Sequence, residues 1–328
     1  MTSGATRRGA MLAGLALPFL GGAAAAQNQS LVVVGKDRWL FPAWDRVNQA
    51  PDGARIRGVT EVLNQAVALL KQANVETAIG LIPSKGRVYR QHLPDSLRVN
   101  AETDRRYALL QSELRRPGTL VPDLDAPFRA AAANARPPEQ LFFRTDTHWA
   151  PAGAELAARE MAKAIRERFR LPAHRGGGTP LGNPVAATNN SGDLVRFLPA
   201  AERAAFIPEE YRQRGAAQRP AAALLAEDDG DVTVVGNSFV QPRFGFPDVL
   251  SNQLERPVRL AWNVNNIGPF FTLLEHVRSD AFRRQKPRVL VWMLLEMDAE
   301  NLPNSGSWGQ SAMAPAAFTT GLRQALGV

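Results

Sequence analysis

Two short strings, Thr145-Asp146-Thr147-His148-Trp149 and Val234-Val235-Gly236-Asn237-Ser238-Phe239, carry the residue types of a nucleophilic acyl-transfer site. A serine hydroxyl is a weak nucleophile at its ordinary pKa, so it needs a base within hydrogen-bond reach and a third group that orients the base. Ser238, His148 and Asp146 offer nucleophile, base and orienting carboxylate. Their placement depends on the elements around them. Asp231 to Val235 reads as a short buried strand, and Gly236-Asn237 imposes a tight turn that would expose the Ser238 hydroxyl at the strand end. A serine in this position can instead cap a following helix, and Asp146 or Thr147 can cap a helix beginning at Pro151, with His148 packed on Trp149. The chain has 4 histidines. His174 lies in a glycine-rich run and His276 inside a helical pattern, which makes His148 the best candidate for a base.

The two strings together resemble the alginate O-acetyltransferase family of AlgX/AlgJ type, whose catalytic domain is related to the SGNH hydrolases. Gly35-Lys36-Asp37-Arg38-Trp39-Leu40-Phe41 is similar to that family's opening motif, with Arg38 where glycine is usual. Pro83-Ser84-Lys85 with Val88-Tyr89, Arg144 to Trp149 followed by Pro151 and Gly153, and Ser191-Gly192-Asp193-Leu194 resemble further blocks in the same order. The resemblance implies Ser238 as nucleophile, His148 as base and Asp146 as orienting carboxylate, in agreement with the reading of the residues alone. It also implies a motif order permuted from ordinary SGNH hydrolases, since Asp-x-His here precedes the serine. Asn237 stands where many relatives have aspartate or threonine. No Gly-x-Asn-Asp block provides an oxyanion asparagine, so the Ser238 N–H is the first candidate donor. Asn263, Asn265 and Asn266, after the strand at 257–262, are others, with Asn263 placed first. Arg144 and Trp149 are candidates for substrate binding, and Trp44, Trp149 and Trp262 for either stacking on sugar rings or core packing.

Arg7-Arg8 precede an apolar, alanine-rich stretch from Ala10 to Ala26 that ends in small residues, the pattern of a signal peptide over residues 1–26. The paired arginines point to the twin-arginine route. Gly14, Pro18 and Gly21-Gly22 interrupt the stretch, which is short for about 30 Å of hydrocarbon; an uncleaved membrane anchor is the alternative. The expected location is the periplasm. Zero cysteines exclude disulfides, thiolate metal sites and a cysteine nucleophile. Neither a metal nor a cofactor is expected. The net charge of +8 favours polyanionic partners. Without a nucleic-acid motif in an exported chain, an anionic or neutral exopolysaccharide is a better partner than nucleic acid.

Alternating strands and helices predict an α/β fold, a mainly parallel sheet with helices on both faces, in a single domain over residues 27–328. Expected strands are 76–82, 119–121, 141–143, 232–235, 258–262 and 288–295, after an opening pair at 31–34 and 39–41. Expected helices are 55–72, 102–115, 123–133, 151–169, 269–278 and 314–326. The rhythm is lost over residues 171–226, read as an irregular insertion at the mouth of the site. No room remains for a C-terminal carbohydrate-binding module. The expected activity is O-acetyl transfer to sugar hydroxyls of an exopolysaccharide such as alginate, with a membrane-bound O-acyltransferase as the acetyl supplier that the resemblance implies. A carbohydrate O-acetylesterase using the same triad and a noncatalytic polysaccharide-binding component of a secretion complex are the alternatives.

Overall fold

A computed structural model describes residues 31–215 and 230–328. The expected signal peptide and part of the expected insertion, residues 216–226, lie outside the described residues. The strands are β1 (Val32–Val34), β2 (Leu40–Pro42), β3 (Glu76–Ile82), β4 (Pro184–Asn189), β5 (Glu209–Arg214), β6 (Val232–Gly236), β7 (Val258–Trp262) and β8 (Val289–Leu295). The main helices are α1 (Gly53–Gln72), α2 (Arg106–Arg115), α3 (Asp125–Asn134), α4 (Pro151–Arg168), α5 (Phe246–Leu254), α6 (Pro269–Arg278) and α7 (Pro315–Leu326).

The central sheet has the order β3-β8-β6-β7, and all its pairings are parallel. Every residue of β8 is buried, as a strand covered on both faces requires. Its side chains alternate between two cores. Val289, Val291, Met293 and Leu295 join α3, α4 and α5, whereas Leu290, Trp292 and Leu294 join α1, α2, α6 and α7. The result is a three-layer α/β/α arrangement. Among the described residues no helix is long and apolar enough to cross a membrane.

Four differences from the sequence expectations have local causes. The strands expected at 119–121 and 141–143 are reduced to single bridges, Ala78 with Leu120 and Phe142 with Trp149. Side chains take over ladder positions there: Arg115 Nε donates to Val121 O, and Leu141 N–H donates to the Tyr89 hydroxyl. The helix expected over 102–115 is interrupted at Arg105, between Ala101–Asp104 and α2. The buried Arg87 guanidinium accounts for the break, because it donates to the carbonyls of Thr103 and Asp104 that a continuous helix would use. Helix α5 was not expected, although Pro247 in its first turn and Asp248 beside it are helix-start signals. Finally, residues 171–226 are not wholly irregular, since β4 and β5 pair antiparallel across them.

Candidate active site

Ser238 stands one residue beyond the end of β6, after Asn237, and begins a 3₁₀ turn, Ser238–Val240. The side chain that caps this turn is Asn237, whose Oδ1 accepts the Phe239 N–H at 3.0 Å. The serine hydroxyl is therefore not used as a cap. It lies 2.8 Å from His148 Nε2, and His148 Nδ1 lies 2.7 Å from Asp146 Oδ1. The three residues expected from the two strings thus form a continuous relay.

Asp146 is held by three donors. Its Oδ1 also accepts the His148 N–H at 2.9 Å, and its Oδ2 accepts the Asp193 N–H at 3.2 Å. Burial opposes ionisation of this carboxyl, but the hydrogen bond and charge of His148, with the two N–H donors, hold it down at about 2. It is a fixed anion at neutral pH, suited to orienting the imidazole Nδ1–H and stabilising an imidazolium.

The loop carrying Asp146 and His148 is braced from three sides. Lys85, fully buried, donates through Nζ to the carbonyls of Leu40, Arg144 and Asp146. Burial pulls its ammonium down to about 8, with Glu209, Asp146 and Asp193 opposing that shift. Glu209, on β5, accepts the N–H groups of Arg144 and Thr145 and the Thr145 hydroxyl. Asp193 accepts the Thr147 N–H at 2.7 Å and its hydroxyl at 3.0 Å. Burial and repulsion from Asp146 raise the Asp193 carboxyl above its ordinary range. Lys85 and Asp193 stand in motifs visible in the sequence, but their bracing roles were not foreseen. Glu209 had no sequence signal, because it lies in the stretch without apolar rhythm.

The Asp193 segment can approach only because residue 192 is glycine. A Cβ there would lie 2.3 Å from both the carbonyl oxygen and the hydroxyl of Thr145. Gly192→Ala is expected to lower stability by about 1–3 kcal/mol and kcat by about 10²-fold through displacement of the Asp146–His148 loop. Thermal melts together with initial rates check this.

The relay opens into a cavity of about 380 Å³ lined by Ser238, His148, Trp44, Arg196, Asn265 and Asp298, among others. Cavities of about 720 and 550 Å³ occur elsewhere on the molecule, but neither contains a relay residue. The Ser238 N–H has no acceptor among the described residues, which leaves it available as an oxyanion donor. Asn263 does not fit that role: its Nδ2 donates to Glu275 at 2.9 Å and it lines a different cavity. Asn265 and Asn266 do line the Ser238 cavity.

Trp149 is also corrected. It is fully buried and donates through Nε1 to Phe239 O, so it ties the two strings together and presents no face to a ligand. Arg144 borders a separate cavity beside Trp39 and His92 and does not line the Ser238 cavity. Trp44 is the tryptophan of the expected three that lines the Ser238 cavity.

Asp146, His148 and Asp193 have potential ligand atoms within 4.8 Å of one another. Their short contacts are already used, with His148 bridging Asp146 and Ser238 while Asp193 Oδ1 accepts from Thr147. This donor set suits proton transfer better than cation coordination.

Asp298 is a titratable group of the cavity that the sequence did not reveal. Burial pushes its carboxyl up to about 7, against hydrogen bonds from Asn301 and Asn265. The group is neutral below that pH and anionic above it. For an anionic ligand of this cavity, affinity is expected to fall about three- to fivefold as pH passes through 7, an interaction of about 1 kcal/mol across a partly solvated cleft. Asp298→Asn should flatten the profile, and a neutral ligand should show none of it; binding titrations across pH check both.

A family profile described as "SGNH hydrolase-like domain, acetyltransferase AlgX" matches residues 32–296, from the start of β1 to the residue after β8. The chain is 30% identical over 300 residues to the Probable alginate O-acetylase AlgJ of Pseudomonas syringae pv. tomato, covering 85% of this chain and 71% of that protein. It is 31% identical over 284 residues to the protein of the same name from Pseudomonas putida, covering 80% and 68%. Among solved structures, the O-acetyltransferase domain of Pseudomonas putida AlgJ superposes with a TM-score of 0.71 at 26% identity, covering 89% of this chain and 99% of that one. Pseudomonas aeruginosa AlgX shares the fold at a TM-score of 0.61 and 18% identity, covering 85% of this chain and 71% of that one. A match through the whole sheet, with a relative at this identity, means that the chain belongs to the AlgX family of SGNH hydrolase-like acetyltransferase domains.

Proposed function

We propose that the chain is an exported O-acetyltransferase that passes acetyl through Ser238 to hydroxyl groups of an exopolysaccharide such as alginate. The observation that carries the mechanism is the unbroken relay of 2.8 and 2.7 Å from Ser238 Oγ through His148 to Asp146. Similarity to proteins named as alginate O-acetylases supports the substrate class.

Ser238 Oγ attacks the acetyl carbonyl carbon of the donor while its proton moves to His148 Nε2. The tetrahedral oxyanion is held by the Ser238 N–H, with Asn265 or Asn266 as the second donor from the cavity wall. Collapse breaks the bond to the donor's leaving group, which takes the proton from His148, and leaves acetyl-Ser238. A sugar hydroxyl then gives its proton to His148 and attacks the acetyl carbon. Ser238 leaves and recovers the proton. A membrane-bound O-acyltransferase is the proposed source of acetyl groups, and the periplasm the proposed location.

The test follows the mass of the mature protein after incubation with an activated acetyl ester. An acetyl adduct on Ser238, discharged faster by a uronate oligosaccharide than by water, is the expected result. Ester turnover indifferent to the sugar would replace transfer with hydrolysis. No adduct and no turnover in folded protein would leave a polysaccharide-binding role.

A further inference from the structure

A second cavity of about 380 Å³ is lined by Arg144, two residues before Asp146, together with Asp37, Trp39, His92, Arg136 and Gln140, among others. Its polar atoms are unusually short of partners. Arg144 is half-buried; its Nε is sealed from solvent without an acceptor, and its terminal nitrogens make no hydrogen bond or ion pair with a described residue. Gln140 is 3% exposed, and its Nε2 is fixed on Glu209 at 2.9 Å, which leaves its Oε1 buried without a donor. Arg136 donates through one terminal nitrogen to the carbonyls of Ala133 and Ala135 and has no carboxylate partner among the described residues. Sealed atoms cannot meet a ligand, so the terminal guanidinium nitrogens of Arg144 and Arg136 are the donors left to bind one.

The unfilled valences have a definite pattern. Arg144 and Arg136 present planar cationic donors, which match a carboxylate. His92 Nδ1 lies 3.0 Å from Asp37 Oδ2. Burial lowers the pKa of the imidazole despite Asp37, so the ring is neutral at pH 7, donates through Nδ1 and keeps Nε2 as an acceptor. Two cationic donors beside a neutral acceptor suit one molecule bearing both a carboxylate and a hydroxyl group. The Trp39 ring is stacked on Tyr89 at 4.2 Å and His92 at 4.9 Å, so it forms a rigid wall to the cavity and offers no free stacking face.

We propose that this cavity is a second saccharide site, separate from the Ser238 cleft, that binds a uronate unit through its carboxylate on Arg144 and Arg136 and a hydroxyl on His92. The site is a binding site whether or not Ser238 transfers acetyl, so it is tested by binding alone.

Ser238→Ala protein is titrated with sodium glucuronate, glucose and sodium acetate by calorimetry and saturation-transfer NMR. Glucuronate is expected to bind at least about tenfold more tightly than either glucose or acetate, the effect of about one charge-assisted pair. Arg144→Gln should weaken it about tenfold or more. Arg136→Gln alters an exposed side chain and so avoids any folding defect; it should weaken binding several-fold. Arg196→Gln, in the Ser238 cleft, should leave binding unchanged. Weakening by Arg196→Gln alone would place the sugar in the cleft and overturn the proposal. Absence of glucuronate binding would overturn it as well. Equal affinity for acetate would reduce the cavity to a simple anion site and overturn its saccharide assignment.

Discussion

Ser238→Ala is expected to lower acetyl transfer to a sugar by about 10⁵-fold or more while leaving the fold and acceptor affinity intact, because removal of a triad nucleophile eliminates the covalent route entirely. The size of the loss follows from the geometry: the hydroxyl is the group held 2.8 Å from His148 Nε2 in the cleft. The lack of a stability effect follows from a different contact. If Ser238 capped the turn after β6, its loss would destabilise the protein by about 1 kcal/mol. Asn237 Oδ1 performs that capping, so the melting temperature of Ser238→Ala should match that of the parent. His148→Ala should be nearly as inactive, and the double variant no worse than the poorer single one, since the pair acts as a unit. Rates with an acetyl ester, intact mass and thermal melts measure all three. A Ser238→Ala enzyme retaining a tenth of its rate would exclude the proposed mechanism.

What was legible in the sequence was mainly what burial enforces. Strand β8 is apolar throughout and β3 is buried from Thr77 to Ile82 because both faces are covered, and helix α6 has Pro269 at its start and a regular apolar face. Those segments have the expected bounds or differ by a residue. The pair β4–β5 was not legible. Its residues are mostly exposed or half-buried, and Val185 is 46% exposed, so backbone pairing organises it without an apolar pattern. Helix α5 was missed for another reason. Glycine and proline mark turns as readily as helix starts, and here Gly245 takes φ +81 just before the helix and Pro247 lies in its first turn.

The candidate site divides along the same line. Ser238, His148 and Asp146 were recognisable because acyl transfer needs those three chemistries and the chain has few histidines. Asn263 and Trp149 were misplaced because adjacency in sequence does not say which way a side chain points. Asn263 turns to Glu275, whereas Asn265, two residues on, reaches the cleft. Lys85 and Glu209 brace the Asp146–His148 loop from 61 and 63 residues away from Asp146, and only the fold brings them there. A fully buried lysine also runs against the usual preference for solvent, and the three carbonyls it meets are what compensate it.

Asp146→Asn should reduce kcat by about 10³- to 10⁴-fold with little change in KM, a loss comparable to neutralising a triad carboxylate in other serine acyl-transfer enzymes. Asparagine nearly matches the shape of aspartate but has one acceptor oxygen where the site uses two. With its oxygen at the Oδ2 position, it would keep the Asp193 N–H and turn its NH₂ toward the His148 N–H and Nδ1. That NH₂ would place a donor against the His148 N–H and favour the Nε2–H tautomer, which cannot accept the serine proton. With its oxygen at the Oδ1 position, it would preserve the working tautomer and put the NH₂ against the Asp193 N–H, losing the charge that stabilises imidazolium. The single Asp193 contact, at 3.2 Å, is the longer one, which favours this second orientation. The activity loss then comes mainly from the missing charge. In the parent, the His148 Nδ1 proton should appear as a strongly downfield resonance from its 2.7 Å bond to Asp146; in Asp146→Asn it should move upfield but persist. Complete loss of that resonance would show the other orientation and a tautomeric origin for the defect. Unchanged kcat would remove Asp146 from the mechanism.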